Sequence, residues 1–371
     1  MKRHSGLYPG ICSFENLLRA AYRARRGKRL RPDVAAFHHN LEANLLALRD
    51  ELQARTYRPG PYRAFVIHDP KTRLISAAPY RDRVVHHALC QVVEPVFERT
   101  FIDASYANRK GKGTHKALDR CTYWARRHAY VLKCDIAKYF PSIDHEILLG
   151  LVARKIKCTH TLWLLRAIVE HSNLQEEAVA YFPGDDLFAP FGRRRGLPIG
   201  NLTSQFLANV YLSPLDHFVL QSLGVRAYVR FCDDFLLFGD DPSDLRRWRE
   251  EVRAFLCGLR LRLHPSKCQV TPTRCGVPFL GWQVFPDHRL LRGGAKRRMR
   301  RRLRVKSRLF AAGVVTEAHL EASLMSTLGH LRHGDAYGLT HRLLAPRCYV
   351  VAGPPGKVPW RDAVTCTRER A

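Results

Sequence analysis

Two apolar runs, Val225 to Phe231 and Phe235 to Phe238, are separated only by Cys232-Asp233-Asp234. So short a polar break between β-type runs predicts an antiparallel hairpin. It also sets two adjacent carboxylates at the hairpin tip, where they repel and raise each other's pKa. A hard divalent cation, which prefers oxygen ligands, relieves that repulsion. A further β-type run, Tyr130 to Ile136, carries Asp135 near its end. Three carboxylates on neighbouring strands can hold two magnesium ions about 3.5–4 Å apart and so support phosphoryl transfer. Asp185-Asp186 and Asp240-Asp241 are two more acidic pairs. They lie beside Gly and Pro and are read as solvated turn residues.

These acids stand out because the 371-residue chain has 62 Lys and Arg against 33 Asp and Glu, a net charge of +29. A chain this basic meets a polyanion or repels itself, which makes nucleic acid the leading partner. No lipidation signal appears, and no apolar run approaches the roughly 20 residues of a membrane span. No apolar signal core follows Met1-Lys2-Arg3-His4. The chain is therefore expected to be intracellular, with no membrane partner. The eleven cysteines are odd in number, scattered and free of Cys-x-x-Cys pairs. That argues against a disulfide framework or a structural zinc site. His38-His39 and His86-His87 are read as core or solvated histidines, since helix neighbours point in different directions.

Phe37, Leu41, Leu45, Leu48 and Leu52 form one apolar stripe, which predicts a single helix from Asp33. Short strands are expected at 64–67 and 74–77, joined by the turn Asp69-Pro70-Lys71. Helices are expected near 82–97, 114–128, 143–156, 162–171, 203–223 and 243–259, and further strands at 267–270 and 278–285. Mixed rather than alternating elements predict an antiparallel α+β core. Between residues 289 and 308 eleven of the twenty residues are Lys or Arg and none is acidic. The first 32 residues are also basic, and the first ten are read as a floppy, solvated terminus.

The surroundings of the three aspartates resemble the reverse transcriptase family. Asp135-Ile136-Ala137-Lys138-Tyr139-Phe140 is similar to its first metal motif, and Gly196-Leu197-Pro198-Ile199-Gly200-Asn201 to the motif under the nascent base pair. Phe231-Cys232-Asp233-Asp234 resembles the Tyr-x-Asp-Asp hairpin, with Phe231 in the Tyr place. Leu263 to Lys267 resembles the lysine motif that follows it. Phe279-Leu280-Gly281-Trp282 resembles the primer grip, and Arg73 to Arg83 the fingers block of bacterial members. The resemblance runs from about 55 to 310, with the motifs in family order. Most members carry Gln-Gly-x-x-x-Ser-Pro where this chain has Ile199-Gly200-Asn201-Leu202-Thr203-Ser204-Gln205. That departure, Asn108 to His115 and the Arg193-Arg194-Arg195 lead-in resemble the enzymes of diversity-generating retroelements.

The resemblance implies an α+β right-hand polymerase of fingers, palm and thumb, with an antiparallel palm sheet and a helical basic thumb. It implies a basic N-terminal extension at 1–32, fingers at 33–128, a first palm segment at 129–149, and fingers re-entry with a basic loop at 150–199. A second palm segment at 200–288, a thumb at 289–345 and an irregular tail at 346–371 complete the expectation. Little chain follows residue 345 for the maturase and endonuclease segments that intron-encoded enzymes carry. Asp135, Asp233 and Asp234 would be catalytic and, with Ile136, would hold two Mg2+, with Mn2+ as a substitute. Lys71, Arg73, Phe140, Ile199, Gly200, Gln205 and Lys267 would bind the nucleotide, Phe140 excluding a 2′-hydroxyl. Phe279, Leu280, Gly281 and Trp282 would grip the primer. Arg193, Arg194, Arg195, Lys296, Arg297, Arg300, Arg301 and Arg304 would bind nucleic acid. The implied partners are template RNA, an RNA–DNA hybrid, dNTPs and a basic accessory variability protein, in the cytoplasm of a bacterial, archaeal or phage-infected cell. The activity would be copying of a template-repeat RNA with misincorporation opposite adenine.

Overall fold

The computed structural model describes residues 3–68, 72–171 and 180–344. The chain divides into two compact units, one up to Cys275 and one from Gly276. The 69–71 turn with Lys71 and the 346–371 tail lie outside the described residues.

The first unit is built on a four-stranded antiparallel sheet. Its strands are β3 (Tyr130–Asp135), β4 (Tyr228–Phe231), β5 (Asp234–Gly239) and β6 (Gln269–Pro272), in the order β4-β5-β3-β6. A separate hairpin pairs β1 (Arg63–Ile67) with β2 (Arg73–Ala77). The helix Leu202–His217 runs through the core, and Phe206, Leu207, Val210, Tyr211, Leu212 and Leu215 are all buried. A helix apolar on nearly every side must be enclosed. Tyr139 donates from its hydroxyl to the Ala208 carbonyl at 2.5 Å, and Tyr211 to the Leu259 carbonyl at 2.6 Å. These bonds tie the central helix to the segments on either side of it.

Two expectations are corrected. Among the described residues the first ten are not a floppy lead-in: His4 pairs with Ile156, and a helix starts at Tyr8, whose side chain is buried. Ser13 caps the helix Phe14–Arg25 by accepting from the Asn16 N–H, and Leu17, Ala20, Ala21 and Ala24 are buried. Asn16 donates to the carbonyls of Ile11 and Ala88, and Tyr8 to that of Leu52. The many arginines occupy the outer face, so net charge hid an amphipathic pattern. The stripe from Phe37 to Leu52 belongs to two helices, Pro32–His39 and Leu41–Ala54, broken at Asn40. Leu45, Leu48 and Leu52 are buried as expected of the stripe.

His86 is fully buried in the helix Tyr80–Glu98, where burial, with His87 and Arg83 nearby, pushes its pKa down to about 3. His87 is held at about 4, again chiefly by burial. Both pKa values fall below the unfolded value, so the unfolded chain binds more protons. Their contribution to stability is present near pH 7 and is lost as pH falls through the ordinary histidine range. Urea unfolding at pH 5 should therefore be easier than at pH 7 by about 2 kcal/mol from fully buried His86, and by less from half-buried His87, whose charge solvent screens. His86→Leu should flatten that dependence; an unchanged slope would exclude His86 as its source.

The second unit holds the antiparallel sheet β7 (Val277–Phe279), β8 (Trp282–Val284) and β9 (Arg289–Leu291) and the helices Gly293–Ala311, Glu317–Leu331 and Tyr337–Leu344. On Gly293–Ala311 the stripe Arg297, Arg301, Arg304 and Arg308 is exposed, while Leu303 and Ser307 are buried. No described helix is long and apolar enough to cross a membrane. All nine described cysteines are free thiols.

Candidate active site

β4 and β5 are joined by two residues, Cys232 and Asp233, and Phe231 pairs with Asp234. Cys232 has a φ of 59°. Primed hairpin turns demand a positive φ at the first loop residue, so a non-glycine residue here holds a strained tip. Asp135 pairs directly with Asp234 across β3 and β5, and the Ile136 N–H donates to the Asp233 carbonyl at 3.3 Å. Directly opposed residues share a sheet face, so the register alone brings Asp135 and Asp234 together. Asp233 follows at the tip.

Two lysines hold the carboxylates. Lys267 Nζ lies 2.8 Å from Asp135 Oδ1, and Lys133 Nζ lies 3.2 Å from Asp234 Oδ2. Lys133 escaped the sequence reading. It sits two residues before Asp135 on the same strand face, diagonal to Asp234, and that period was the available signal. Burial raises the Asp234 pKa to about 6, Asp233 and Asp135 add to the rise, and Lys133 opposes it. Burial also raises Asp233, with Asp135 adding to it and Arg73 working against it.

Asp234 Oδ1 is buried with no hydrogen-bond partner. A buried orphan carboxylate oxygen beside two further carboxylates is a donor set that fits a hard cation. Among the described residues no group of three Asp, Glu, His or Cys side chains is arranged to hold a metal ion by itself. Mg2+ keeps waters and substrate phosphates among its ligands, so a site for it needs fewer protein donors. The Ile136 side chain is buried, which leaves only its carbonyl to act as a ligand.

The expected nucleotide residues gather from three segments. The Leu197 N–H donates to the Phe140 carbonyl at 2.9 Å, and the Ser76 N–H, on β2, to the Ile199 carbonyl at 3.1 Å. Buried Asn201 accepts from the Ala78 N–H and donates to the Ser76 carbonyl. Gly200 has a φ of 112°, and a Cβ there would come within 3.0 Å of Ile75. Arg73 on β2, the Ile199-Gly200 turn and Phe140 are thus tied together through main-chain bonds. Phe140 is half-buried beside Tyr139, and Gln205 is half-buried on the central helix. Arg81, in the resembling fingers block, pairs with Glu51 over the Tyr57 ring.

The Asp hairpin rests on a buried ion pair. Arg230 donates from Nε and Nη2 to the two oxygens of Asp216, each at 2.6 Å, and both side chains are fully buried. Arg230 also reaches the Cys232 carbonyl at 3.1 Å, and Tyr228 donates to Asp216 at 3.0 Å.

Other expected contacts fare differently. Arg193 is paired with Asp185 and largely buried, so Asp185 is not a solvated turn residue. Arg194 is exposed near Glu170, and Arg195 donates to the Pro190 carbonyl. In the second unit Phe279 and Trp282 are fully buried core, and only the Leu280-Gly281 turn between them is accessible. Both turn residues have positive φ, as a primed turn requires. Of the four residues expected to grip a primer, Phe279 and Trp282 are core, and Leu280 and Gly281 form the accessible turn. Arg297, Arg300, Arg301 and Arg304 are exposed and Lys296 is half-buried.

The family model described as "Reverse transcriptase (RNA-dependent DNA polymerase)" matches residues 67–284. The chain belongs to the reverse transcriptase family. This reverse transcriptase is 28% identical over 292 residues to Protein YkfC of Escherichia coli (strain K12), covering 68% of this chain and 72% of that one. It is 27% identical over 183 residues to the group II intron-encoded protein LtrA of Lactococcus lactis subsp. cremoris, covering 48% of this chain but 29% of that protein. Among solved structures, telomerase from Candida albicans in complex with a fragment of telomeric RNA aligns with a TM-score of 0.44 and 12% identity, over 81% of this chain and 58% of that one. The mixed helices and antiparallel sheet are those of the right-hand polymerase fold, and the enzyme class is RNA-directed DNA polymerase.

Proposed function

We propose that this reverse transcriptase copies a template-repeat RNA into adenine-mutagenised cDNA that diversifies a target gene, as in diversity-generating retroelements. The observation that carries the reading is Ile199 at the place where most members have glutamine, on a turn bonded through its carbonyl to β2. A glutamine there would hydrogen-bond the incoming nucleotide and reward correct geometry. Isoleucine makes no such bond, so discrimination between right and wrong pairs falls. Ile199→Gln should lower substitutions opposite template adenines when the cDNA is sequenced; an unchanged error spectrum would remove Ile199 from this role. YkfC and LtrA among the relatives favour a second reading, an intron-type reverse transcriptase. Equal error rates opposite all four template bases would support that one.

In this reading Asp135, Asp233 and Asp234, with the Ile136 carbonyl, hold two Mg2+, for which Mn2+ can substitute. When bound, the ions lower the pKa of the primer 3′-hydroxyl and steady the leaving pyrophosphate. Lys133 and Lys267 keep two of the carboxylates oriented. Arg73 offers a guanidinium fork to the triphosphate, and Phe140 lies under the sugar. Phe140→Ala should admit ribonucleotides in a primer-extension assay with mixed pools, and retained deoxy selectivity would defeat the assignment. The segments 33–128 and 150–199 serve as fingers, 129–149 and 200–288 as palm, and 289–345 as thumb. The exposed arginines of Gly293–Ala311 follow the phosphates of an RNA–DNA hybrid, which is recognised by shape and charge. A basic accessory protein is the expected partner.

A further inference from the structure

β3 and β6 bring two cysteines together beside the carboxylates. Their antiparallel register runs from Tyr130 opposite Pro272 to Lys133 opposite Gln269. The next step of that register sets Cys134 opposite Cys268. The two thiols share a hydrogen bond. Cys134 is buried and Cys268 is half-buried, and both pack on the same apolar core.

Directly opposed residues of an antiparallel pair have Cα atoms about 4.5–5.5 Å apart and side chains on one face. A disulfide needs a Cα separation of about 4.4–6.8 Å. The backbone therefore already suits a sulfur–sulfur bond, and only the side chains need turn. Two sulfurs alone do not make a soft-metal site. Among the described residues no third His, Cys, Asp or Glu side chain completes one.

Each cysteine adjoins a residue of the carboxylate site. Cys134 precedes Asp135 on β3, and Cys268 follows Lys267, whose Nζ lies 2.8 Å from Asp135 Oδ1. The Cys268 thiol also donates to the Asp135 carbonyl at 3.7 Å. The same carbonyl accepts from the His264 N–H at 2.7 Å. A bond of about 2.05 Å between the sulfurs would draw Cys268 off that carbonyl and carry Lys267 with it.

We propose that Cys134 and Cys268 are a modification site for peroxides, which close the pair into a disulfide and pull Lys267 out of line with Asp135. Cys268 is the thiol that solvent reaches, so it reacts first. Its sulfur attacks hydrogen peroxide and the O–O bond breaks. The thiol proton leaves with the hydroxide as water, and a sulfenic acid remains. The Cys134 sulfur then displaces the sulfenic hydroxyl, which takes the Cys134 proton and leaves as a second water. The two thiols lose two electrons between them, and the peroxide is reduced to water. The effect on extension rests on the role proposed for Asp135; the bond itself does not.

The test treats the full chain with graded hydrogen peroxide, alkylates the remaining thiols and maps the unreduced peptides by mass spectrometry. The parent should yield a peptide pair linked through Cys134 and Cys268. Primer extension should fall about tenfold in step with that link, a cost in keeping with a small misplacement beside a reacting centre. A thiol reductant should reverse both changes. Cys268→Ala should keep its extension under the same peroxide. Cys134→Ala should accumulate a sulfenic acid at Cys268 that dimedone traps, because no second thiol then stands opposite. Cys275→Ala, which removes an exposed thiol outside the pair, should respond as the parent does. Absence of the linked peptide, a link from Cys268 to another cysteine, or an equal loss of extension in Cys268→Ala would overturn the proposal. So would a complete link with extension intact. If Asp135→Asn extends primers like the parent, the reading of Asp135 fails, while the peptide map still decides the bond.

Discussion

Asp233→Asn is expected to lower primer extension by about three orders of magnitude or more, equivalent to a barrier raised by about 4 kcal/mol. The substitution keeps the shape of the side chain and removes only its charge. Its melting temperature should be unchanged or higher than the parent's. Burial and Asp135 both work against ionised Asp233, so neutralising it removes an unfavourable interaction from the folded state. A variant that loses activity while gaining stability separates a functional carboxylate from a structural one. Asp234→Asn should behave alike, because Asp234 has a buried oxygen with no protein partner. Extension within about tenfold of the parent, in a folded variant, would exclude Asp233 from the chemistry.

Arg230→Met is expected to reduce the unfolding free energy by about 3–5 kcal/mol, because it strands the Asp216 carboxylate in the core. Asp216→Leu should cost a similar amount by stranding the guanidinium. The double variant Arg230→Met with Asp216→Leu should recover most of the loss, since no unpaired charge then remains buried. Urea denaturation of the four proteins measures this cycle directly. Arg230→Lys should not restore the parent, as an ammonium cannot span both Asp216 oxygens and also reach the Cys232 carbonyl. The last of these bonds steadies the strained residue beside Asp233, so the recovered double variant should still extend primers more slowly. Additive losses in the cycle would show that the pair is not a coupled unit.

The features legible before the fold were those with a local cause. Apolar runs around the short break Cys232-Asp233-Asp234 predicted the β4–β5 hairpin, while the turn of only two residues and the pairing of Asp135 with Asp234 came from the fold. The motif that resembles a primer grip shows the opposite case. Phe279-Leu280-Gly281-Trp282 was recognisable as a motif, yet only packing shows that its two aromatic side chains are core and its turn is surface. The N-terminal helix was hidden for a related reason, since a count of arginines carries no information about which face they occupy.

The order of residues was enough to specify an acidic hairpin in a basic chain, an antiparallel α+β core and a helix dense in arginine, because each depends on neighbours a few positions apart. Tertiary structure alone decided that Arg230 meets Asp216 and that Lys267 meets Asp135. Side chains far apart along the chain leave no periodic trace in it. Whether such charges end up as partners or as solvated surface depends on which segments pack together, and that is settled only when the apolar faces are buried.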